Sequence, residues 1–336
     1  MGELRIGLTM GGAGDLRGQL ALAAEAERRG FDLITAGDSS SDVFTMLGAL
    51  AHGTARIGLV ANIAGWTRTP ATTAHAATTI SNLSGGRFTL GLGPTPKAWV
   101  EGWHGMAFDP VVPRMREYVT AVRACLAATP DAPTAVDGRY YPTHGYTNWG
   151  VDAPPVPVAL GVTLPRMTEL AGEVCDGAML NSIVPFETIG SAVRDRLDQG
   201  RARAGRTGEP FDVGILRFVG VHDDRATAYD LCRAQIAFYF PIPYFTTVLQ
   251  GLGFEAELAA GTAAAATGDR AAAVAAVSDR LVDALGIAGT PGEARERLQA
   301  YAGLVDWVAL AGTLDLPHDQ ANAHLGRILD TFGTGR

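Results

Sequence analysis

The chain has 336 residues, of which 47% are hydrophobic and 18% are charged, and this composition excludes an intrinsically disordered protein. The net charge of −8 and the absence of any lysine or arginine run argue against nucleic acid as a partner. No apolar run reaches the roughly 18 residues of a membrane span, and the start, MGELRIGLTM, lacks a signal-peptide pattern, so we expect a cytoplasmic protein with no membrane partner.

Short apolar runs alternate with helical patterns along the whole chain. Strands are predicted at residues 5–9, 33–36, 56–62, 88–93, 156–160, 176–181, 212–221 and 305–309. Helices are predicted at residues 15–29, 43–51, 70–83, 112–127, 165–174, 186–204, 227–240, 291–301 and 319–332. Repeated strand–helix units favour a parallel sheet covered by helices, and eight of them favour closure into a (β/α)8 TIM barrel.

The barrel is predicted to form a single domain over residues 1–336. Two stretches do not fit the repeat and are interpreted as insertions, near 130–155, which is rich in proline and aromatic residues, and near 241–290. Active sites of such barrels lie where the strands end and the loops to the helices begin. The candidate segments are therefore 10–14, 38–42, 62–67, 94–104, 161–164, 181–185 and His222.

The cysteines and histidines do not indicate a metal site. Cys125, Cys175 and Cys232 are isolated within apolar patterns, which predicts buried free thiols. The seven histidines form no HExxH pair, so we expect no bound metal. All but one of the 27 lysine and arginine residues are arginine, which indicates a GC-rich, actinobacterial type of coding bias.

Several segments resemble one enzyme family in the order in which they occur. The block LSGGRFTLGLG at the fourth strand resembles luciferase-like flavin and deazaflavin oxidoreductases, and PRMREYVTAVRA resembles the next helix of their coenzyme F420-dependent branch. Further matches are AEAERRGFDLI, RIGLVANIAGWTRTP, PRMTELAGEVCDG and IAGTPGEARERLQAYAGLVDWVAL. Together they cover nearly the whole chain.

The resemblance implies an oxidoreductase that transfers a hydride between coenzyme F420 and a small organic substrate such as a ketone or alcohol, an imine or an activated alkene. One alternative is a monooxygenase that uses reduced FMN and O2, because the fold is shared. A second alternative is a non-catalytic flavin-binding protein of the same fold. A homodimer is expected from the resemblance alone.

The resemblance also implies where the cofactor lies. The family has a non-prolyl cis peptide in a bulge after the third strand that presses on the cofactor ring; here the bulge is Ala61 to Ala64, with the cis bond expected between Asn62 and Ile63. The phosphate is expected in the loop before the fifth helix, at Gly161, Val162 and Thr163, where free amides and a hydroxyl suit an anion. An ordinary capped turn is the alternative. The residues expected to bind the cofactor are Asp38, Ala61, Asn62, Ile63, Gly93, Lys97, Gly161, Val162, Thr163 and Asn181.

At some positions this sequence departs from the pattern of the family, and these differences narrow the expected activity. Asp38 is followed by Ser39, where F420-dependent enzymes often have histidine. Pro94 stands where some sugar-phosphate dehydrogenases of the family have glutamate, so we do not expect that activity. The segment GAGDLRG, residues 12–18, also admits a Rossmann nucleotide loop, but eight repeated units argue against an open sheet.

The candidate catalytic and substrate residues each have two readings. Asp38 either hydrogen-bonds the cofactor or caps the next helix, and Asn62 is interpreted as a donor to a ring carbonyl. Lys97 either binds an anionic group or is a solvated loop residue, and His104 is either a proton donor or an ordinary polar residue. Four aromatic residues are assigned to the substrate pocket, with core packing as the alternative: Trp66, Trp103, Tyr239 and Tyr244. Tyr140, Tyr141 and Trp149 are interpreted as a lid or a dimer contact.

Overall fold

The computed structural model describes residues 3–10, 15–38, 41–148, 152–312 and 318–335. The glycine-rich residues 11–14, Ser39 and Trp149 lie outside the described residues. In chain order the described strands are β1 (Arg5–Thr9), β2 (Leu33–Ala36), β3 (Gly58–Ala61), β4 (Ala64–Gly65), β5 (Phe88–Gly93), β6 (Ala135–Val136), β7 (Thr143–His144), β8 (Val158–Val162), β9 (Gly177–Leu180), β10 (Asp212–Val221), β11 (Gly286–Gly289) and β12 (Trp307–Ala311).

Eight of these strands close into a parallel barrel. The order of pairing is β1-β2-β3-β5-β8-β9-β10-β12, and β12 pairs again with β1. In the closing pair, Arg5 lies beside Trp307 and Thr9 beside Ala311. The predicted (β/α)8 TIM barrel is therefore confirmed.

Helices surround the barrel. They are α1 (Leu16–Arg28), α2 (Val43–Gly53), α3 (Pro70–Ser84), α4 (Lys97–Gly102), α5 (Val111–Ala127), α6 (Pro165–Val174), α7 (Phe186–Thr188), α8 (Arg194–Arg203), α9 (Arg225–Ala237), α10 (Pro243–Leu249), α11 (Glu255–Thr267), α12 (Arg270–Ala275), α13 (Asp279–Leu285), α14 (Pro291–Gln299) and α15 (His318–Phe332). A π-helical turn, Ile189–Val193, joins α7 to α8. In the described part of the chain, none of these helices has both the length and the apolar character that crossing a bilayer requires.

Local sequence signals explain where α3 begins and ends. The hydroxyl of Thr69 accepts a hydrogen bond from the amide of Thr72, and Pro70 occupies the first helical position, where its missing N–H is harmless. Gly85 ends the helix in the left-handed conformation at φ 62°, which glycine adopts at little cost. Thr290, Pro291 and Glu293 start α14 in the same way with a capping box.

The strands at residues 5–9, 33–36, 88–93 and 212–221 have the predicted bounds. The strand predicted at 156–160 is Val158–Val162, because Pro157 has no N–H for the ladder. The last strand predicted at 305–309 is Trp307–Ala311. Residues 94–104 were predicted as a loop but contain α4, and the short strand β4 was not predicted.

The two insertions have different structures. The first contains the two-residue antiparallel hairpin β6–β7. The second contains α10 to α13 and ends in β11, which runs parallel to the far end of β10 and was not predicted. The second insertion has its own core, built on buried aromatic and leucine side chains that include Phe240, Phe245, Phe254 and Leu281.

Buried side chains fill the middle of the barrel. The interior cluster consists of Leu33, Val60, Ala159, Met179, Trp307 and Ala309. The Trp307 indole lies against Gly214, where an added Cβ would fall 1.8 Å from the ring. A cavity of about 290 Å³ lies beneath this layer among the first residues of the strands, including Arg5, Asp212 and Trp307, which is the end opposite to the expected site.

His324 on α15 is expected to make the protein less stable in mild acid. Burial, followed by the neighbouring Arg327 and His222, lowers the pKa of His324 from 6.5 to about 4. The unfolded chain therefore binds a proton more readily, and the stability from this group is lost as pH falls from 6.5 to about 4, by about 3 kcal/mol at most. Urea unfolding at pH 7.5, 5.5 and 4.5 should show a smaller acid loss for His324→Gln than for wild type. Parallel losses in the two proteins would contradict this assignment.

Candidate functional site at the carboxyl rim

The bulge after β3 is the central feature of the carboxyl rim. The bond between Asn62 and Ile63 is a non-prolyl cis peptide, which confirms the predicted position. The bulge is tied to the end of β2 by two backbone hydrogen bonds, from the Asn62 amide to the Ala36 carbonyl at 2.6 Å and from the Asp38 amide to the Ile63 carbonyl at 3.0 Å. Ala61, the last residue of β3, is fully buried beneath it.

The Ile63 side chain lies over two glycines at the rim. If Gly93 carried a Cβ atom, that atom would lie 2.9 Å from Ile63 Cδ1. A Cβ atom on Gly161 would lie 2.7 Å from Ile63 Cγ2. Any larger residue at these positions would displace Ile63. The structure thus brings together three of the predicted cofactor residues. Gly161 and Val162 are the last residues of β8 rather than loop residues, which corrects the prediction, and only Thr163 lies beyond the strand.

Two polar side chains at this rim carry buried atoms without a partner among the described residues. They are the amide nitrogen Nδ2 of Asn62 and the hydroxyl Oγ1 of Thr95. Thr95 stands over the backbone of Gly65, where an added Cβ would fall 2.1 Å from Oγ1. Gly65 in turn pairs with Gly93 at the end of β5. Since buried polar groups are almost always paired, these two atoms are suited to a bound molecule.

The Asp38 carboxylate is hydrogen-bonded to other groups of the protein. Its carboxylate accepts from the Gly65 amide at 2.9 Å and the Val43 amide at 3.2 Å, and it forms a two-bonded ion pair with Arg68. Burial opposes the charge on Arg68, but hydrogen bonds to Asp38 and then Asp42 raise its pKa above the usual value. The structure therefore ties Asp38 to the first amide of α2, whose N-cap is Asp42, and to Arg68, an ion pair that the sequence analysis missed.

The helix α6 begins next to the end of β8 without a capping side chain. Leu164 occupies the N-cap position, Pro165 the first helical position, and the first turn contains no acidic residue. Arg166 in the same turn is exposed. The free amides of this uncapped terminus and the neighbouring positive charge of Arg166 are together suited to a phosphate.

Hydroxyl groups line the opposite part of the rim, after β9. Asn181 Oδ1 accepts from the Ser182 hydroxyl at 3.3 Å and from the Ile183 amide at 3.2 Å. The Ser182 hydroxyl also lies 3.4 Å from the Tyr239 hydroxyl, and the two rings of Tyr239 and Phe218 meet edge to face. Burial raises the pKa of Tyr239, and burial followed by the nearby Tyr239 raises that of Tyr244.

Three predicted residues lie on the exposed segment after β5. Lys97 is 56% exposed and pairs with Asp109 at 3.3 Å and Glu101 at 3.8 Å. Trp103 is 65% exposed and stacks on Trp99 with ring centres 4.4 Å apart. His104 is also exposed. The structure does not bring these side chains into contact with the bulge or the rim glycines.

Trp66 is fully buried directly after β4. Its carbonyl accepts a hydrogen bond from the Tyr141 hydroxyl at 3.0 Å, and its ring meets Phe108 edge to face at 5.7 Å. Tyr141 is buried as well and packs against Tyr118, so it belongs to the core and not to a lid or a dimer contact as predicted. The reason is Glu117, whose carboxylate accepts from the backbone amides of residues 139–141 and fixes this stretch against α5.

Comparisons with known proteins identify the family of this chain. The profile of the family described as luciferase-like monooxygenase matches residues 4–306. A Mycobacterium tuberculosis protein assigned as a coenzyme F420-dependent oxidoreductase is 30% identical, covering 95% of this chain and 98% of the relative. The 5,10-methylenetetrahydromethanopterin reductase of Archaeoglobus fulgidus is 31% identical, covering 84% and 86%.

A solved structure shares the fold over nearly the whole length. The coenzyme F420-dependent tetrahydromethanopterin reductase of Methanopyrus kandleri superposes with a TM-score of 0.78 at 21% identity, covering 99% of this chain and 98% of that chain. With the profile match spanning residues 4–306, the chain belongs to the luciferase-like monooxygenase family.

Proposed function

We propose that this protein is an oxidoreductase that transfers a hydride between coenzyme F420 and a small organic substrate. The observation that carries the proposal is the buried Asn62 amide nitrogen, which has no partner among the described residues. It lies at the barrel mouth next to Ile63, whose side chain packs on Gly93 and Gly161. The names of the Mycobacterium and Methanopyrus relatives support F420 as the cofactor. When bound, a deazaflavin supplies two-electron hydride chemistry, and the protein supplies position and electrostatics.

The residues at the rim fit a flat ring with carbonyl groups. Gly93 and Gly161 keep the space around Ile63 free of side chains. Asn62 Nδ2 can only donate a hydrogen bond, and Thr95 Oγ1 can donate or accept, which matches carbonyl oxygens at a ring edge. Ile63 would support the ring by apolar contact. Holding donor and acceptor carbons about 3–3.5 Å apart supplies much of the rate advantage of such a site.

The hydroxyl groups after β9 could handle the proton that accompanies reduction of a ketone or an imine. Tyr239 stays protonated at neutral pH because burial raises its pKa. Its hydroxyl can therefore donate to a substrate oxygen or nitrogen, and the Ser182 hydroxyl 3.4 Å away connects it to Asn181. We place the substrate on this side, against Tyr239 and Tyr244.

We place the cofactor phosphate at the N-terminus of α6, and Arg166→Glu tests this placement. The change should lower F420 affinity at least tenfold, about 1.4 kcal/mol, because a carboxylate would replace a cation beside the phosphate. Folding should be preserved, since glutamate is favourable in a first helical turn. Fluorescence titration with F420 and with its phosphate-free riboside should show the loss only for F420. Arg270→Glu, in the first turn of α12, is the matched control and should bind F420 normally.

The test of the whole proposal is titration of the apoprotein with F420 and with FMN. Submicromolar affinity for FMN with no binding of F420 would overturn it in favour of a monooxygenase that uses reduced FMN and O2.

Anaerobic single-turnover mixing of the reduced F420 complex with candidate ketones and imines then separates an enzyme from a flavin-binding protein. The homodimer stays a prediction, to be checked by light scattering.

A further inference from the structure

Trp66 and Arg114 each carry a buried N–H group that has no acceptor among the described residues. The atoms are the indole nitrogen Nε1 of Trp66, whose side chain is 0% exposed, and the guanidinium nitrogen Nε of Arg114. Neither nitrogen can accept a hydrogen bond, so each can be satisfied only by an acceptor. Two unpaired donors of this kind on neighbouring side chains indicate a place built for an acceptor group.

Aromatic rings surround the two donors. The guanidinium carbon of Arg114 lies 6.0 Å from the centre of the Trp66 ring and 4.6 Å from that of Tyr140. Phe108 meets the Trp66 ring edge to face, and the Tyr141 hydroxyl bonds to the Trp66 carbonyl. We call these five residues the Trp66–Arg114 cluster. The Nε atom of Arg114 is shielded from water, which strengthens a charged hydrogen bond there.

The charge of Arg114 has no counter-ion in the described part of the chain. None of the ion pairs there includes Arg114. Glu117, one turn along α5, is committed to the amides of residues 139–141. Burial raises the pKa of Tyr141, whereas the adjacent Arg114 opposes the rise. The Tyr141 oxygen accepts one hydrogen bond from Arg114, but no carboxylate in the described part of the chain neutralises the guanidinium, which favours an anion over a neutral acceptor.

We propose that the Trp66–Arg114 cluster binds a carboxylate, and that this carboxylate belongs to an organic-acid substrate. A guanidinium presents Nε–H and Nη–H side by side at the spacing of two carboxylate oxygens, and the indole N–H adds a third donor. A flat carboxylate also fits between aromatic rings better than a tetrahedral phosphate does. Trp66 follows Gly65, which pairs with Gly93 at the rim, so the bound group would lie beside the proposed ring site. Only the assignment to a substrate rests on the proposed function; binding of the anion does not.

The test uses the full-length 15N-labelled protein and small probes. The chain has five tryptophans, and the Trp66 indole signal is identified by its absence in Trp66→Phe. Benzoate and acetate should shift this signal saturably, whereas neutral benzamide, which has the shape of benzoate, should not. Arg114→Gln should weaken benzoate binding at least tenfold. Arg139→Gln is the matched control, because Arg139 lies 5.5 Å from the same Tyr140 ring but is exposed, and it should leave binding unchanged.

Arg114→Lys keeps the positive charge but lacks the Nε–H group. If this variant folds and binds benzoate tenfold more weakly, the result supports paired hydrogen bonds from Nε–H and Nη–H to the carboxylate. This holds even if Arg114→Gln fails to fold. Absence of any saturable shift, an equal response to benzamide, tighter binding of inorganic phosphate, or undiminished binding in Arg114→Lys would each overturn the proposal. F420 titration of the same sample separates the two proposals. Intact F420 binding without an anion response rejects this inference alone, and an anion response without F420 binding rejects the proposed cofactor alone.

Discussion

Replacing Asn62 by alanine is expected to lower the affinity for F420 at least tenfold without lowering the stability of the apoprotein. The reason is that the Asn62 side-chain nitrogen would form a hydrogen bond in the complex but forms none in the apoprotein. Asn62 Nδ2 makes no hydrogen bond to the described protein, so its removal costs the empty fold no hydrogen bond. In the complex, the same nitrogen would donate to a ring carbonyl in a dry site, where one such bond contributes about 1–2 kcal/mol. Fluorescence titration and thermal unfolding of one sample measure both quantities.

Lys97→Ala is the matched control for Asn62→Ala. Lys97 lies outside the contacts of the bulge, is 56% exposed and is paired with Asp109 and Glu101. Its removal should change F420 affinity by less than threefold, about 0.6 kcal/mol, because exposed ion pairs contribute little. If Lys97→Ala weakened binding more than Asn62→Ala, the anionic tail of the cofactor would have to lie along α4, and Asn62 would lose its assigned role.

The barrel could be predicted from the sequence because its signal repeats. Strands such as Phe88–Gly93 and Asp212–Val221 are short apolar runs bounded by charged or glycine residues, and each is followed by a helical pattern. The second insertion was harder. Its helices are rich in alanine, as in EAELAAGTAAAAT, so they have little apolar periodicity. The strand β11 is only GIAG, and its identity as a strand depends on pairing with β10.

The site was predictable where it depends on chain order and unpredictable where it depends on side-chain direction. The position of the bulge follows from the end of the third barrel strand, and the resemblance placed its cis bond at Asn62–Ile63. The partner of Asp38 is Arg68, 30 residues away, and no spacing in the sequence indicates that pair. Thr95 and Arg114 are likewise singled out only by what their polar atoms lack in three dimensions.

Replacing Gly91 by alanine is expected to have the largest effect on folding, about 3 kcal/mol or more. An added Cβ would fall 2.0 Å from the Ala61 carbonyl oxygen and 2.1 Å from the Met179 Cε. The first contact is with backbone, so β5 and β3 would have to separate where the bulge begins. Urea unfolding followed by circular dichroism measures the loss. Gly48→Ala in α2 is the matched control: its Cβ meets nothing within 4 Å, so the same substitution should stabilise the protein by about 0.5–1 kcal/mol.

Gly93→Ala tests the contact with the Ile63 side chain separately from the close approach of the strand backbones at Gly91. Side chains at positions 91 and 93 of one strand point to the same face, but at Gly93 the three atoms nearest to the added Cβ all belong to the Ile63 side chain, its terminal Cδ1 being nearest at 2.9 Å. Cδ1 can rotate away, and the remaining Ile63 contacts at 3.3–3.4 Å need only a small shift of that side chain, so stability should fall by less at Gly93 than at Gly91. The displaced Ile63 would intrude on the proposed ring site and weaken F420 binding at least tenfold. Equal losses of stability in Gly91→Ala and Gly93→Ala would show that the close approach of β5 to Ala61 is not what constrains Gly91.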